Sequence, residues 1–288
     1  MLAGGLGALL AGCSGSTGAS PSSRSGGSVA GAPVLERYGA GDRQRGEWTF
    51  PRGTGSRLPV VMLVHGGFWQ PAYGPDLERA VARAAAGLGL AVWNVDYRAA
   101  DVDYPATFLD AAAALDHLPA SRYVDRLDLD RLAVVGHSAG GHLALWLAGR
   151  AALPPGAPGV PTDRSPRVRL AVGQAPVADL VAAAEQQLGG GAVEALLDTT
   201  PGADPARYGV SSPQALLPVP TAGRPRLLLV HGTQDRVVPL AQSRGYLAAA
   251  QRTATPVTLR EVTGAGHFDH LDPTSTALAP VWAELRRL

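Results

Sequence analysis

The stretch Arg131-Leu132-Ala133-Val134-Val135-Gly136-His137-Ser138-Ala139-Gly140-Gly141-His142-Leu143-Ala144-Leu145-Trp146 decides the fold. A short β-branched apolar run breaks at Gly136, crosses one hydroxyl flanked by small residues, and resumes with apolar residues at Leu143, Leu145, Trp146 and Leu147. This spacing predicts a buried strand, a very tight turn and a helix. Gly136-His137-Ser138-Ala139-Gly140 fits the pattern G-x-S-x-G, in which the serine occupies the tip of a strained strand-to-helix turn. A side chain at either glycine would collide with the neighbouring strand or helix where the chain folds back. Ser138 is then expected above the C-terminal edge of a parallel sheet, at the positive end of the following helix. A phosphate-binding reading fails on spacing, because Gly136 to Gly141 does not spell G-x-G-x-x-G and no Lys-Ser or Lys-Thr pair makes it a P-loop.

The chain around this stretch has 288 residues, enough for one large α/β domain and a leader. Its formal net charge of +1 provides no field that would select nucleic acid or an acidic partner, so a small-molecule partner is expected. Cys13 is the single cysteine, which excludes an intramolecular disulfide and a thiolate metal cluster. Leu2 to Gly12 is small and apolar, too short to span a bilayer but of the length of a signal-peptide core, although no Lys or Arg precedes it. Leu10-Ala11-Gly12-Cys13 resembles the bacterial lipobox, which implies lipidation of Cys13 and a membrane anchor at the cell envelope, with the cytoplasm as the alternative location. The Ser/Gly/Pro-rich tract that follows reads as a flexible tether, so residues 1–33 are assigned to leader and tether and 34–288 to the catalytic domain.

Along that domain, strands and helices alternate. One or two antiparallel edge strands are expected between Val34 and Phe50, then buried strands at Pro59 to Val64 and Leu90 to Tyr97 with a helix from Asp76 to Leu88 between them. A helix after Tyr104-Pro105, the strand and helix around Ser138, a strand at Val168 to Gln174, another at Arg226 to Val230, a helix at Leu240 to Gln251, a strand at Val257 to Val262 and a final helix to Leu288 continue the series. Such alternation calls for a mostly parallel, doubly wound sheet with helices on both faces and ligands at the C-terminal strand ends. Residues 177–220 are too many for a plain connection and are expected to line or cover the pocket.

Ser138 needs a base, an orienting acid and oxyanion donors, because a serine hydroxyl at its free pKa is a weak nucleophile. His231-Gly232-Thr233-Gln234-Asp235 follows one strand and puts Asp235 in a loop above the sheet, and Gly264-Ala265-Gly266-His267 follows the next and does the same for His267. Asp269 and Asp272 are rival acids, and a loop-capping role is the duller reading of Asp235. His137 and His142, five residues apart, do not share a face as a zinc pair would, and no metal or cofactor is expected. His231 is expected beneath the acid loop, and His117 and His270 in solvent. Trp69, Tyr97 and Tyr104 read either as an aromatic substrate wall or as ordinary packing.

The order Ser138, Asp235, His267, together with His65-Gly66-Gly67-Phe68-Trp69 after the first buried strand, resembles the α/β-hydrolase superfamily over nearly the whole chain from Val34 onward. Within it, H-G-G-x-W, Asp96-Tyr97-Arg98 and Gly-His-Ser-Ala-Gly-Gly-His resemble the small-carboxylesterase and kynurenine formamidase branch, while H-G-x-x-D-x-x-V-P is shared with prolyl-oligopeptidase-like hydrolases. The resemblance implies a Ser138, Asp235, His267 triad and an oxyanion hole built from the backbone N–H groups of Gly67, Phe68 and Ala139. His65 is then a structural histidine that fixes the oxyanion loop. The expected activity is hydrolysis of a small carboxylic ester or aryl amide through an acyl-enzyme. The alternatives are an arylformamidase, an exported peptidase-like hydrolase, and a non-catalytic binding protein on the same scaffold.

Overall fold

A computed structural model describes residues 30–53, 57–220 and 225–288. The leader and Cys13 lie outside the described residues. Within the stretch assigned to the tether, Ala30 bridges Pro51 and the Gly31 N–H donates to the Phe50 carbonyl at 2.8 Å.

The strands are β1 (Val34–Arg37), β2 (Arg45–Thr49), β3 (Leu58–Val64), β4 (Ala91–Val95), β5 (Leu127–His137), β6 (Leu170–Gln174), β7 (Arg226–Gly232) and β8 (Val257–Val262). They form one sheet in the order β1-β2-β4-β3-β5-β6-β7-β8. β1 and β2 pair antiparallel and β2 joins β4 antiparallel, while every pair from β4 onward is parallel. The helices are α1 (Arg79–Gly87), α2 (Ala106–Asp116), α3 (Ala139–Gly149), α4 (Leu180–Glu185), α5 (Ala192–Leu197), α6 (Pro205–Ser211), α7 (Ala241–Arg252) and α8 (Ala279–Leu285). The last helix stops at Leu285, short of the expected end at Leu288. This is the expected doubly wound α/β sheet with an antiparallel edge.

The continuous apolar runs are explained by burial on both faces. In β3, Val60, Met62 and Val64 join one core and Val61 and Leu63 the other, and in β5 Leu132 and Val134 oppose Ala133 and Val135. A two-residue period therefore feeds two cores, and neither face of a central strand needs a polar residue. β8 alternates between partly buried and exposed residues because it is an edge strand. Among the described residues, no helix is long and apolar enough to cross a membrane.

Candidate active site

Three loops at the C-terminal ends of β3, β5 and β7, with a fourth after β8, converge on one point. β5 ends at His137 and α3 begins at Ala139, so Ser138 alone makes the turn, with φ 58° and ψ −119°. A non-glycine residue in this region is strained, and the surroundings hold it there. The Ser138 N–H donates to the Gln174 carbonyl at 2.8 Å, and the Ser138 carbonyl accepts from the His142 N–H at 3.0 Å. A Cβ on Gly136 would lie 2.0 Å from the Gly140 oxygen, and one on Gly140 would lie 1.9 Å from the Val64 oxygen. Both glycines are required by contact between backbones.

Asp235 follows β7 by three residues. Its Oδ1 accepts from the N–H groups of Val237 at 2.8 Å and Val238 at 2.9 Å, which turns Oδ2 toward His267 Nδ1 at 2.7 Å. Burial alone would raise the Asp235 carboxyl, but His231, His267 and the Val237 N–H outweigh it and hold the group far below the usual carboxylate range. An ionised Asp235 accepts from Nδ1–H, which leaves Nε2 of His267 as the lone-pair nitrogen. His231 packs beneath this loop, with Nε2 3.0 Å from the Val238 carbonyl and 3.4 Å from Asp235 Oδ2, and Nδ1 2.8 Å from Ser243 Oγ. The two rival acids are occupied locally: Asp269 accepts from the Gly266 N–H at 2.6 Å, and Asp272 from the Thr274 N–H and hydroxyl.

His65 to Trp69 follows β3 directly. Gly67, Phe68 and Trp69 have φ of +111°, 51° and 56°, so the loop coils away from the strand instead of extending it. A Cβ on Gly66 would lie 2.8 Å from the His137 oxygen and 3.0 Å from Ser138 Cβ, which seats the loop against the serine. The backbone N–H groups of Gly67, Phe68 and Ala139 donate to no group among the described residues.

His65 is buried and its ring stacks on Tyr97 at 4.3 Å, with Nε2 3.6 Å from Asp96. The Tyr97 hydroxyl donates to the His65 carbonyl at 2.9 Å, and only 1% of the residue is exposed. Tyr97 therefore props the loop from below and offers no face to a substrate. Trp69 is also buried, edge-on to His142 at 5.1 Å. Tyr104 is half-buried, with Arg207 4.7 Å above its ring and its N–H donating to Asp198 at 2.7 Å. Both partners belong to residues 177–220, which also pack on α3 through the His142 contact with the Ser211 carbonyl at 3.0 Å and Trp146 Nε1 donating to the Val210 carbonyl at 2.9 Å. Gly189 of the same segment lies against the Phe68 ring, where a Cβ would come within 2.6 Å.

Two histidines expected in solvent are elsewhere. His270 is fully buried, because a three-residue helical period puts it on the same inward face as His267. His117 is held by Glu36 Oε1 at 3.2 Å. Sequence reasoning also missed Arg43. Its guanidinium donates to Asp96 Oδ1 at 2.8 and 3.0 Å and to the carbonyls of Pro71 and Tyr73, which clamps the far side of the oxyanion loop to the end of β4. No local signal links an arginine to an aspartate 53 positions away.

Among the described residues, no group of three or more His, Cys, Asp or Glu side chains is arranged to hold a metal ion. The chain is similar to esterase LipC of Mycobacterium tuberculosis, at 30% identity over 240 residues that cover 77% of this chain and 57% of that protein. Carboxylesterase NlhH of the same organism is 42% identical over 93 residues, 29% of its length. The chain thus spans little more than half of one curated relative and less than a third of the other. In fold it is similar to esterase B from Lactobacillus rhamnosis (TM-score 0.74, 24% identity, 88% of this chain and 84% of that one). A truncated carbohydrate esterase from gut microbiota is also similar in fold (TM-score 0.73, 17% identity, 91% of this chain and 99% of that one). The BD-FAE family model matches residues 48–249, most of the described sheet and the turn that carries Ser138, and the chain belongs to the BD-FAE family of α/β-hydrolases.

Proposed function

We propose that the protein is a metal-independent serine hydrolase that cleaves small carboxylic esters through an acyl-enzyme. The observation that carries this reading is the 2.7 Å contact between Asp235 and His267 Nδ1, which frees Nε2 to act as a base in the loop beside Ser138. The names of LipC and NlhH as esterases favour an ester over a formamide or a peptide. In the first step His267 Nε2 takes the Ser138 proton as Oγ forms a bond to the ester carbon. The carbonyl electron pair moves to oxygen, where the N–H groups of Ala139, Gly67 and Phe68 receive it. The intermediate collapses, the bond to the alcohol oxygen breaks, and His267 gives that oxygen the proton. Water then enters and loses a proton to His267 as it attacks the acyl carbon; the bond from that carbon to Ser138 Oγ breaks, Oγ takes the proton back from His267, and the acid leaves.

Turnover of p-nitrophenyl acetate and butyrate by wild type and Ser138→Ala tests the reading. The variant is expected to lose about 1000-fold or more in kcat, on the scale of nucleophile deletions, and equal rates would overturn the proposal. A fluorophosphonate that labels wild type but not the variant separates an enzyme from a binding protein on the same scaffold. Parallel assays on N-formylkynurenine and peptide anilides decide against the amide alternatives. For location, the Leu10-Ala11-Gly12-Cys13 run supports a lipid anchor at the cell envelope. Mass spectrometry of the native N-terminus tests this, with a diacylglyceryl-modified Cys13 expected and an intact Met1 overturning it.

A further inference from the structure

Phe268 is the most exposed large apolar side chain among the described residues, at 68% against 37–48% for the others. Its position follows from the short helix His267–Leu271, whose three-residue period turns His267 and His270 inward and leaves Phe268 and Asp269 between them facing out. Its ring is edge-on to the His267 imidazole, with centroids 5.3 Å apart and planes at 83°. An exposed phenylalanine on an ordinary surface needs no explanation. This one borders the ring that must hand a proton to the departing alcohol.

That proton transfer fixes where the alcohol lies. The leaving oxygen must come within hydrogen-bond reach of His267 Nε2, so the first carbon atoms beyond it pass beside the imidazole. The acyl chain is a different substituent of the reacting carbon and leaves it in another direction. In deacylation the same place is taken by water, which has no apolar surface to offer.

Resting on the hydrolase reading above, we infer that Phe268 is the leaving-group determinant, an aromatic platform beside His267 that selects esters of phenols and other flat apolar alcohols over esters of small alcohols. It receives the aryl ring edge-to-face or offset-stacked and acts on acylation alone.

The test uses one acyl group and two alcohols, phenyl acetate and 2,2,2-trifluoroethyl acetate, with wild type, Phe268→Ala and Phe268→Tyr. Phe268→Ala is expected to lower kcat/KM for phenyl acetate by about three- to tenfold, the range of one aromatic pair. Its kcat/KM for trifluoroethyl acetate should change by less than about twofold, because that alcohol has no ring to pair. Phe268→Tyr keeps the ring and should keep the preference. Hydrolysis of the shared acetyl-enzyme, followed after a burst, should be the same in all three proteins. Equal losses on both esters, or no loss on either, would overturn the inference. A wild type that hydrolyses neither ester, or hydrolyses them as fast as Ser138→Ala, would instead overturn the hydrolase reading. The exposed position leaves Tm as a control that Phe268→Ala folds normally.

Discussion

His137 Nε2 donates to the backbone carbonyl of His267 at 2.9 Å, and the two rings lie 4.5 Å apart. The residue next to Ser138 therefore holds the main chain of His267, across 130 positions of sequence. Burial, with the neighbouring His267 and His270, keeps His137 well below the ordinary value of 6.5, so it stays neutral and its one N–H is committed to this bond. Phe in place of His137 removes the donor while filling the space. We expect kcat to fall by about tenfold with KM nearly unchanged, the signature of a base held less well, since roughly 1.4 kcal/mol separates a tenfold rate. Gln at the same position restores an N–H and should recover part of the loss; steady-state kinetics on one ester decides.

Glu78 is buried without a partner for Oε1 among the described residues, and burial pushes its carboxyl up to about 8. The unfolded chain ionises near the ordinary value of 4.5, so between about 4.5 and 8 unfolding releases a proton. The neutral carboxyl costs little below that window, and stability is lost as pH rises through it. Glu78→Gln removes the titration. The Tm of the variant should match wild type near pH 4.5 and exceed it progressively up to pH 8, read by calorimetry at several pH values. A constant difference across that range would contradict the assignment.

On the acid side the sign reverses. Burial lowers His142 and His270 to about 4, below the ordinary 6.5, so the unfolded chain takes up protons that the folded chain refuses. Stability should fall as pH drops from about 6.5 toward 4. Among the described residues His270 has no hydrogen-bond partner on either nitrogen, so His270→Phe loses no bond seen there. It is expected to flatten this part of the Tm against pH curve without changing Tm at pH 8.

Gly140→Ala should be among the most damaging single changes in the chain. Its Cβ would enter the Val64 carbonyl at 1.9 Å, which no rotamer relieves. A loss of about 3 kcal/mol or more is expected, beyond the usual cost of overpacking. Gly202→Ala, where nothing lies within 4 Å, serves as the neutral comparison in denaturant unfolding.

What the sequence displays follows from how local each determinant is. The central strands are legible because burial on both faces demands continuous runs such as Val60 to Val64. The turn at Ser138 is legible because its glycines are forced by contacts within a few residues. The Arg43 clamp, the His137 bond and the partners of Tyr104 are invisible because they join residues 53 to 130 positions apart through side chains with no fixed spacing. Burial of His270 was legible only to a three-residue period, and the read-out of a loop from its Gly and Asp content does not supply one. Tyr97 illustrates the remaining gap: a tyrosine at a strand end is equally suited to a pocket wall or to a prop, and the hydroxyl bond to His65 decides between them.

Between β3 and the turn at Ser138, backbone meets backbone. Gly140 lies against the Val64 and His65 oxygens, and Gly66 against the His137 oxygen, with Ser138 Cβ and the His137 ring beside it. The spacing between the His65–Trp69 loop and the Ser138 turn is thus set by close contact along the main chain, which exchanging side chains elsewhere leaves alone. Tyr104, Arg207, Gly189 and Phe268 lie outside that contact, and variation there leaves the spacing alone. On the hydrolase reading proposed above, such a frame lets substrate range drift in the segment 177–220 and at the rim while the chemistry stays constant.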